Sequence, residues 1–521
     1  MGSLIPGDEK VKDFLGSLPN ELLGEIAELL LPNPTALPNP EAHHSSAAGV
    51  EERQGREALR NLCLVSHQFD GNFRPFLFKA PVVSDSGVLL RLYRTLVEKP
   101  ALGQYVKRLV YEVAIDSEDP RHVKLNHNIL SATQFFNAMQ AWHSSNHTSM
   151  EYLEHELTCS LYFAILETTT NLEWLSLNIQ SRRIKSKSQS HLELYSNSFY
   201  PLARQVSAAS NCSTDGRPFL PKLKSLSLLG NNSRPSLAAF PAGILDHFLQ
   251  LSSLEELICF RDNGRWHDLL LRNGGGYIRG VRQVSTSITS LRLENSSCHP
   301  PDIYHVCNTF PSLKSFSIIT NSMDGSRHIA DNRAGILEGA GLLSDALAML
   351  KDLQSLTLDI YLTSYDFYKL GPLTVLDLRP LSNLRYLRVP LKFFLIPYTM
   401  RKASAGLLTH PFCSPVSVLP PSLVSLTIWI DVSWDPVLYE RNHISGVSLR
   451  HDVPDFLNFL AYHSGPDGRF TELQEVAYRY RIGDYTNDAK HGDYVAALEE
   501  AFGNKGVMFS ALEEEMQEED L

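Results

Sequence analysis

The sequence predicts an α/β chain, with a small all-α unit first and then a long, irregular solenoid of parallel strands separated by helices and loops. Three observations predict it. Two apolar helical stretches fall early, SLPNELLGEIAELLL at 17–31 and ALRNLCLVSHQF at 58–69. A six-residue strand pattern recurs between residues 106 and 478. Segments of helical period lie between its copies.

In the first stretch Leu18, Leu22, Ile26, Leu29 and Leu30 keep helical spacing, with Glu21, Glu25 and Glu28 on the opposite side. Pro19 suits a first turn, where its missing N–H has no partner to lose, and Pro32 ends the pattern. Residues 32–56 lack apolar periodicity and are expected to form a surface loop inserted in a unit spanning 14–80. The second stretch puts Ala58, Leu62, Val65 and Phe69 on one face, and Phe73, Phe76, Leu77 and Phe78 come soon after. So few helices leave apolar surface uncovered. Periodicity alone leaves two readings open, a cap on the rest of the chain or a module that binds a partner.

From residue 81 to 510 the chain reads as one array. Copies include Leu172–Leu177, Leu223–Leu228, Leu254–Cys259, Ile288–Leu293, Leu313–Ile318, Leu353–Leu358, Leu384–Val389, Leu423–Ile428 and Leu473–Tyr478, with Val106–Tyr111 a weaker first copy. This is the L-x-x-L-x-L strand signature of leucine-rich repeats. From Leu172 onward successive copies start 25 to 51 residues apart, so the array is irregular. Helical periodicity at 152–167, 241–251, 302–308, 336–349 and 455–462 supplies the alternation of strand and helix.

With a strand period of two, consensus leucines facing the core leave the intervening residues on the concave face. That row is mostly Ser and Thr (Ser225, Ser227, Ser315, Ser317, Ser355, Thr357, Ser425, Thr427), poor material for a binding hot spot. Larger groups stand in it at Trp174, Tyr386 and Arg388, and others come after the strands at Phe260, Trp266, Trp429, Asp431 and Trp434. The expected substrate-binding set is Trp174, Tyr386, Arg388, Trp429, Asp431 and Trp434, held by a rigid scaffold and its rim loops.

Composition narrows function. The 521 residues are 43% hydrophobic and 20% charged, and Lys+Arg 47 against Asp+Glu 58 gives a net charge of -11. A general nucleic-acid footprint needs a basic surface and is not expected. The seven cysteines show no C-x-x-C pair and no zinc spacing, which fits a reducing compartment. The opening MGSLIPGDEKVKDF is too polar for a signal peptide, and no apolar run is long enough to span a bilayer. A cytoplasmic or nuclear protein without a membrane partner is expected. No G-x-S-x-G, H-E-x-x-H or P-loop occurs, and His143, His147 and His155 share no helical face. No catalytic residue, metal or cofactor is expected. Residues 511–521 read as an acidic tail.

The segments LPNELLGEI, LRNLCLVSHQF and RPFLF resemble the F-box as it occurs in filamentous-fungal proteins: a leucine-proline start, a leucine-valine-serine helix and a closing proline-aromatic segment. The resemblance implies docking on the Skp adaptor, and through it on a cullin. By matching position, the adaptor contacts would be Leu18, Pro19, Leu22, Leu23, Ile26, Leu62, Val65, Ser66 and Phe69. The function implied is that of a non-catalytic substrate receptor in an SCF-type ubiquitin ligase, with the repeats holding an unknown target protein. The alternative is an interaction scaffold outside any ligase, in which the 32–56 insertion obstructs the F-box.

Overall fold

The computed structural model describes residues 18–31, 47–83, 86–111, 161–179, 181–183, 195–197, 206, 219–230, 245–262, 266, 284–296, 298, 300–320, 339–359, 376–394, 414–429, 449–480 and 489–513. The chain divides into two compact units, Met1–Asn178 with Ser213–Leu223, and Ile179–Cys212 with Lys224–Leu521.

The first unit begins with α1 (Asn20–Leu30), α2 (Ala47–Val65) and α3 (His67–Lys79). Their shared core is small: Leu23, Ala27, Leu59, Phe69 and Phe73, with the two phenyl rings edge-on at 5.6 Å. The buried face of α1 differs from the expected one. Leu23 and Ala27 are buried, with Leu30 packed against them, while Leu22 and Leu29 face outward. Leucines occupy more than one face of this helix, so spacing alone admits two choices; Ala27 decides, because its small side chain lets neighbouring helices come close. Gly55 in α2 shows how close. A Cβ added there would overlap the carbonyl oxygen of Leu30.

Two expectations need correction here. Residues 47–56 are helical rather than loop. AAGVEERQGR is rich in Ala, Glu, Arg and Gln, which favour helix without any apolar stripe. The stretch 58–69 is also not one helix. Ser66 has extended backbone (φ -157°), and its Oγ accepts the Phe69 N–H at 3.1 Å, capping α3. Ala58, Leu62, Val65 and Phe69 therefore do not share one face. The remaining part of the 32–56 insertion lies outside the described residues.

After α3 come β1 (Val82–Val83), α4 (Ser86–Glu98), β2 (Arg108–Tyr111) and β3 (Trp174–Ile179). The strands pair in parallel, Val82 against Val110 and Arg108 against Trp174. The weak copy at 106–111 is thus a full strand. Tyr111 packs edge-on against Tyr162 at 4.8 Å, and both are fully buried.

The second unit carries β4 (Ser181–Arg183) and β5 (Tyr195–Asn197), an antiparallel pair, and nine parallel strands in sequential order. These are β6 (Ser225–Gly230), β7 (Glu256–Phe260), β8 (Ser290–Ser296), β9 (Ser315–Thr320), β10 (Ser355–Asp359), β11 (Tyr386–Pro390), β12 (Ser425–Trp429), β13 (Glu475–Tyr480) and β14 (Met508–Glu513). Helices precede several of them, at Leu245–Phe248, Pro300–Thr309, Gly339–Ala348, Leu449–Tyr462 and Ala489–Gly503. Strand β14 was not expected, and it carries the array past residue 510 into the supposed tail. Its pattern positions hold Phe509, opposite Val476, and Ala511, opposite Tyr478, so the leucine signature is gone while the pairing remains.

Every pattern position from Leu226 to Tyr478 is buried, and most are fully so. Removing a leucine side chain from water contributes about 2 kcal/mol. Burial alone does not align the strands. At each strand start one carbonyl accepts two successive N–H groups from the next strand: Lys224 from Glu255 and Glu256, Glu255 from Thr289 and Ser290, Thr289 from Lys314 and Ser315, and onward to Val424 from Gln474 and Glu475. Those distances lie between 2.8 and 3.1 Å.

Replacing Gly55 with alanine is expected to destabilise the helical unit by about 1–3 kcal/mol, because backbone must move to admit one methyl group. Chemical denaturation of the full chain, monitored by circular dichroism, checks this.

Candidate functional site

The helical unit divides the sequence-predicted contacts into three groups. Leu23 and Phe69 belong to the core and offer no surface. Leu18, Ile26 and Leu62 are half-buried, and Ser66, though exposed, uses its hydroxyl to cap α3. Pro19, Leu22 and Val65 remain outside. Sequence reasoning left Leu29 and Leu64 out of the contact set. Leu29 is 86% exposed and Leu22 43%; Leu64 is 77% exposed and Val65 66%. A signal for Leu64 and Val65 lies in the sequence: Leu62, Cys63, Leu64 and Val65 are four consecutive apolar residues, and a helix at a surface cannot bury all of them.

At the junction of α2 and α3 an open pocket of about 520 Å³ is lined by Arg60, Cys63, Leu64, Val65, His67 and Leu77, among others. Asp70 and Arg74 stand at the same place and hold each other in a two-point pair, Nε to Oδ1 at 2.9 Å and the second guanidinium nitrogen to Oδ2 at 2.7 Å. Burial, and secondarily the Asp70 charge, raises the Cys63 thiol above its ordinary pKa. The pocket therefore presents apolar surface with a neutral thiol rather than a nucleophile.

Trp174, in the same unit, is half-buried with the Arg108 guanidinium 4.1 Å from its ring centre. Arg108 is itself buried, so this contact fills space between β2 and β3.

In the second unit the parallel register sets the open face of the sheet in three rows. One runs Ser355, Tyr386, Ser425, Glu475, Met508; the next Thr357, Arg388, Thr427, Ala477, Ser510. The third holds Pro390, Trp429, Arg479 and Leu512. Trp429 was expected on a rim loop. It is the last residue of β12, buried on the same face as Arg388, whose guanidinium lies 5.3 Å from its ring centre. Tyr386 is exposed beside them. Three of the expected substrate residues thus meet on adjacent strands. Asp431 and Trp434 lie outside the described residues, as do His143, His147 and His155.

Elsewhere on this face the pattern differs. Leu229, Ile258 and Phe260 form a buried apolar cluster at β6–β7. Trp266, expected at the rim, is fully buried, and its Nε1 donates to Asp262 Oδ1 at 3.0 Å. Cys259, Cys298 and Cys307 are free and buried, and burial pushes all three thiols upward. Among the described residues no group of His, Cys, Asp and Glu is arranged to hold a metal ion. No described helix is long and apolar enough to cross a membrane.

Compared with known proteins, the chain matches no family model, and a search of curated proteins finds no match.

Two measurements check these placements. Ser66→Ala is expected to cost about 1 kcal/mol through the lost cap, with Ser66→Asp restoring most of it, read by denaturant melts. The buried thiols are expected to resist Ellman's reagent in the folded chain. They keep their protons when folded, whereas unfolded thiols ionise near pH ~8.5, so above that pH the native state binds more protons and stability falls. A Cys298→Ala variant should show a shallower fall in thermal midpoint from pH 8 to 10.

Proposed function

We propose that this chain is the substrate receptor of an SCF-type ubiquitin ligase: an F-box docking on a Skp adaptor, with a leucine-rich-repeat array holding a target protein. The observation that carries the reading is the apolar surface left on a three-helix unit with a very small core, at Leu22, Leu29, Leu64 and Val65. Exposed apolar side chains gathered in one small unit are what a partner-binding module presents. The motif order from Leu18 to Phe78 agrees with it. So does the sequential parallel sheet, whose open face carries exposed Tyr386 and half-buried Arg388, backed by the buried Trp429, among small hydroxyl residues. Aromatic and arginine side chains dominate binding energy at protein interfaces, while Ser and Thr around them add complementarity. In this reading the chain contributes proximity, bringing target lysines to an enzyme recruited elsewhere in the assembly.

The alternative, a scaffold outside any ligase, is separated by one experiment. The full chain and a Leu22→Asp/Leu29→Asp variant are used to capture partners from cells of the source species. Adaptor and cullin are expected with the unaltered chain and strongly reduced with the variant, while target proteins persist with both. An unaltered chain that folds and recovers no adaptor rejects the ligase reading. In the same assay Tyr386→Ala/Arg388→Ala is expected to lose target proteins and keep the adaptor.

A further inference from the structure

Among the described residues the parallel strands carry two arginine–tryptophan contacts, and the two are opposite in burial. In the first unit Arg108 lies directly across the ladder from Trp174, its guanidinium 4.1 Å from the ring centre. There the cation is buried and the ring half-exposed, so the arginine serves the packing of the strands. In the second unit the order is inverted. Trp429 is 9% exposed, and the half-buried Arg388, 5.3 Å from its ring centre, is the partner that the open face presents.

The surroundings of Trp429 hold the ring. Register sets it between Pro390 of β11 and Arg479 of β13, and Pro390 is buried beside it. A side chain flanked in this way on both neighbouring strands has little room to turn. Arg388 stands two residues before Pro390, on the diagonal from the indole. A guanidinium within about 6 Å of an indole is attracted to it, more strongly where water is excluded. An arginine held in this way before contact loses less rotamer freedom when a partner takes its N–H groups.

We propose that Trp429 is a positioning residue for target capture. It acts through Arg388, holding the guanidinium in one direction on the open face, and itself offers the target almost no surface. This role presupposes that the open face holds the target. It makes recognition at Arg388 directional: a guanidinium fixed on a ring presents its donors as an oriented fork, which the point charge of a lysine cannot do.

Capture from cells with the full chain tests it, the targets being those proteins that Tyr386→Ala/Arg388→Ala loses. Trp429→Leu removes the ring and keeps an apolar side chain in its place. It is expected to lower target recovery roughly two- to tenfold, the scale of a cation–π contact, with the thermal transition retained. Trp429→Phe keeps an aromatic face and is expected to restore most of that recovery. Arg388→Lys keeps the charge without the flat contact and is expected to behave like Trp429→Leu. Added to Arg388→Ala, Trp429→Leu is expected to lower recovery no further, whereas a ring that touched the target, or only stabilised its strand, would add a loss of its own. Should Trp429→Leu unfold, Arg388→Lys decides. If Tyr386→Ala/Arg388→Ala loses no protein, the open face does not hold the target and the role of Trp429 falls with it. If that variant loses targets while Trp429→Leu or Arg388→Lys recovers them in full, the positioning role alone is overturned.

Discussion

A single carbonyl oxygen accepting two N–H groups from the next strand recurs at every junction from β6 to β13, and the open face of the second unit depends on it. Hydrophobic burial is non-directional, so leucines packed in a core would tolerate a slip along the strand. A slip of one residue would turn the hydroxyl row inward and the leucines outward. The paired bonds at each strand start remove that freedom. Tyr386, Arg388 and Trp429 meet because β11 and β12 are held in that register, with Pro390 beside Trp429.

The helical unit is governed by the opposite condition, scarcity. Five buried side chains make its core, and close approach of backbone stands in for bulk at Gly55. A unit of this size has more leucine than it has interior, and the surplus emerges at Leu22, Leu29 and Leu64.

The repeat array was legible because its signal is redundant: ten copies report the same two-residue period, and any one can fail without loss. β14 escaped because Phe509 and Ala511 keep the pairing while dropping the leucines. The helical stretches were harder. On α1, leucines on several faces made the apolar stripe ambiguous, and only the small volume of Ala27 settles which side faces inward. At Ser66 a capping residue inside an apolar run broke what spacing alone presented as one helix. Trp429 and Trp266 show the same limit from another side: both come after consensus positions, yet one ends a strand on the open face and the other is sealed in the interior beside Asp262.

From Leu223 to Leu473 the copies of the pattern start as few as 25 and as many as 50 residues apart, yet every neighbouring pair from β6 to β14 keeps its strand starts aligned. Chain length and surface layout are therefore decoupled. Residues can be gained or lost between strands at slowly growing entropic cost while each cell of the grid keeps its address. Such a face can be rewritten one cell at a time, by point substitution in the strands, while insertions reshape what surrounds it.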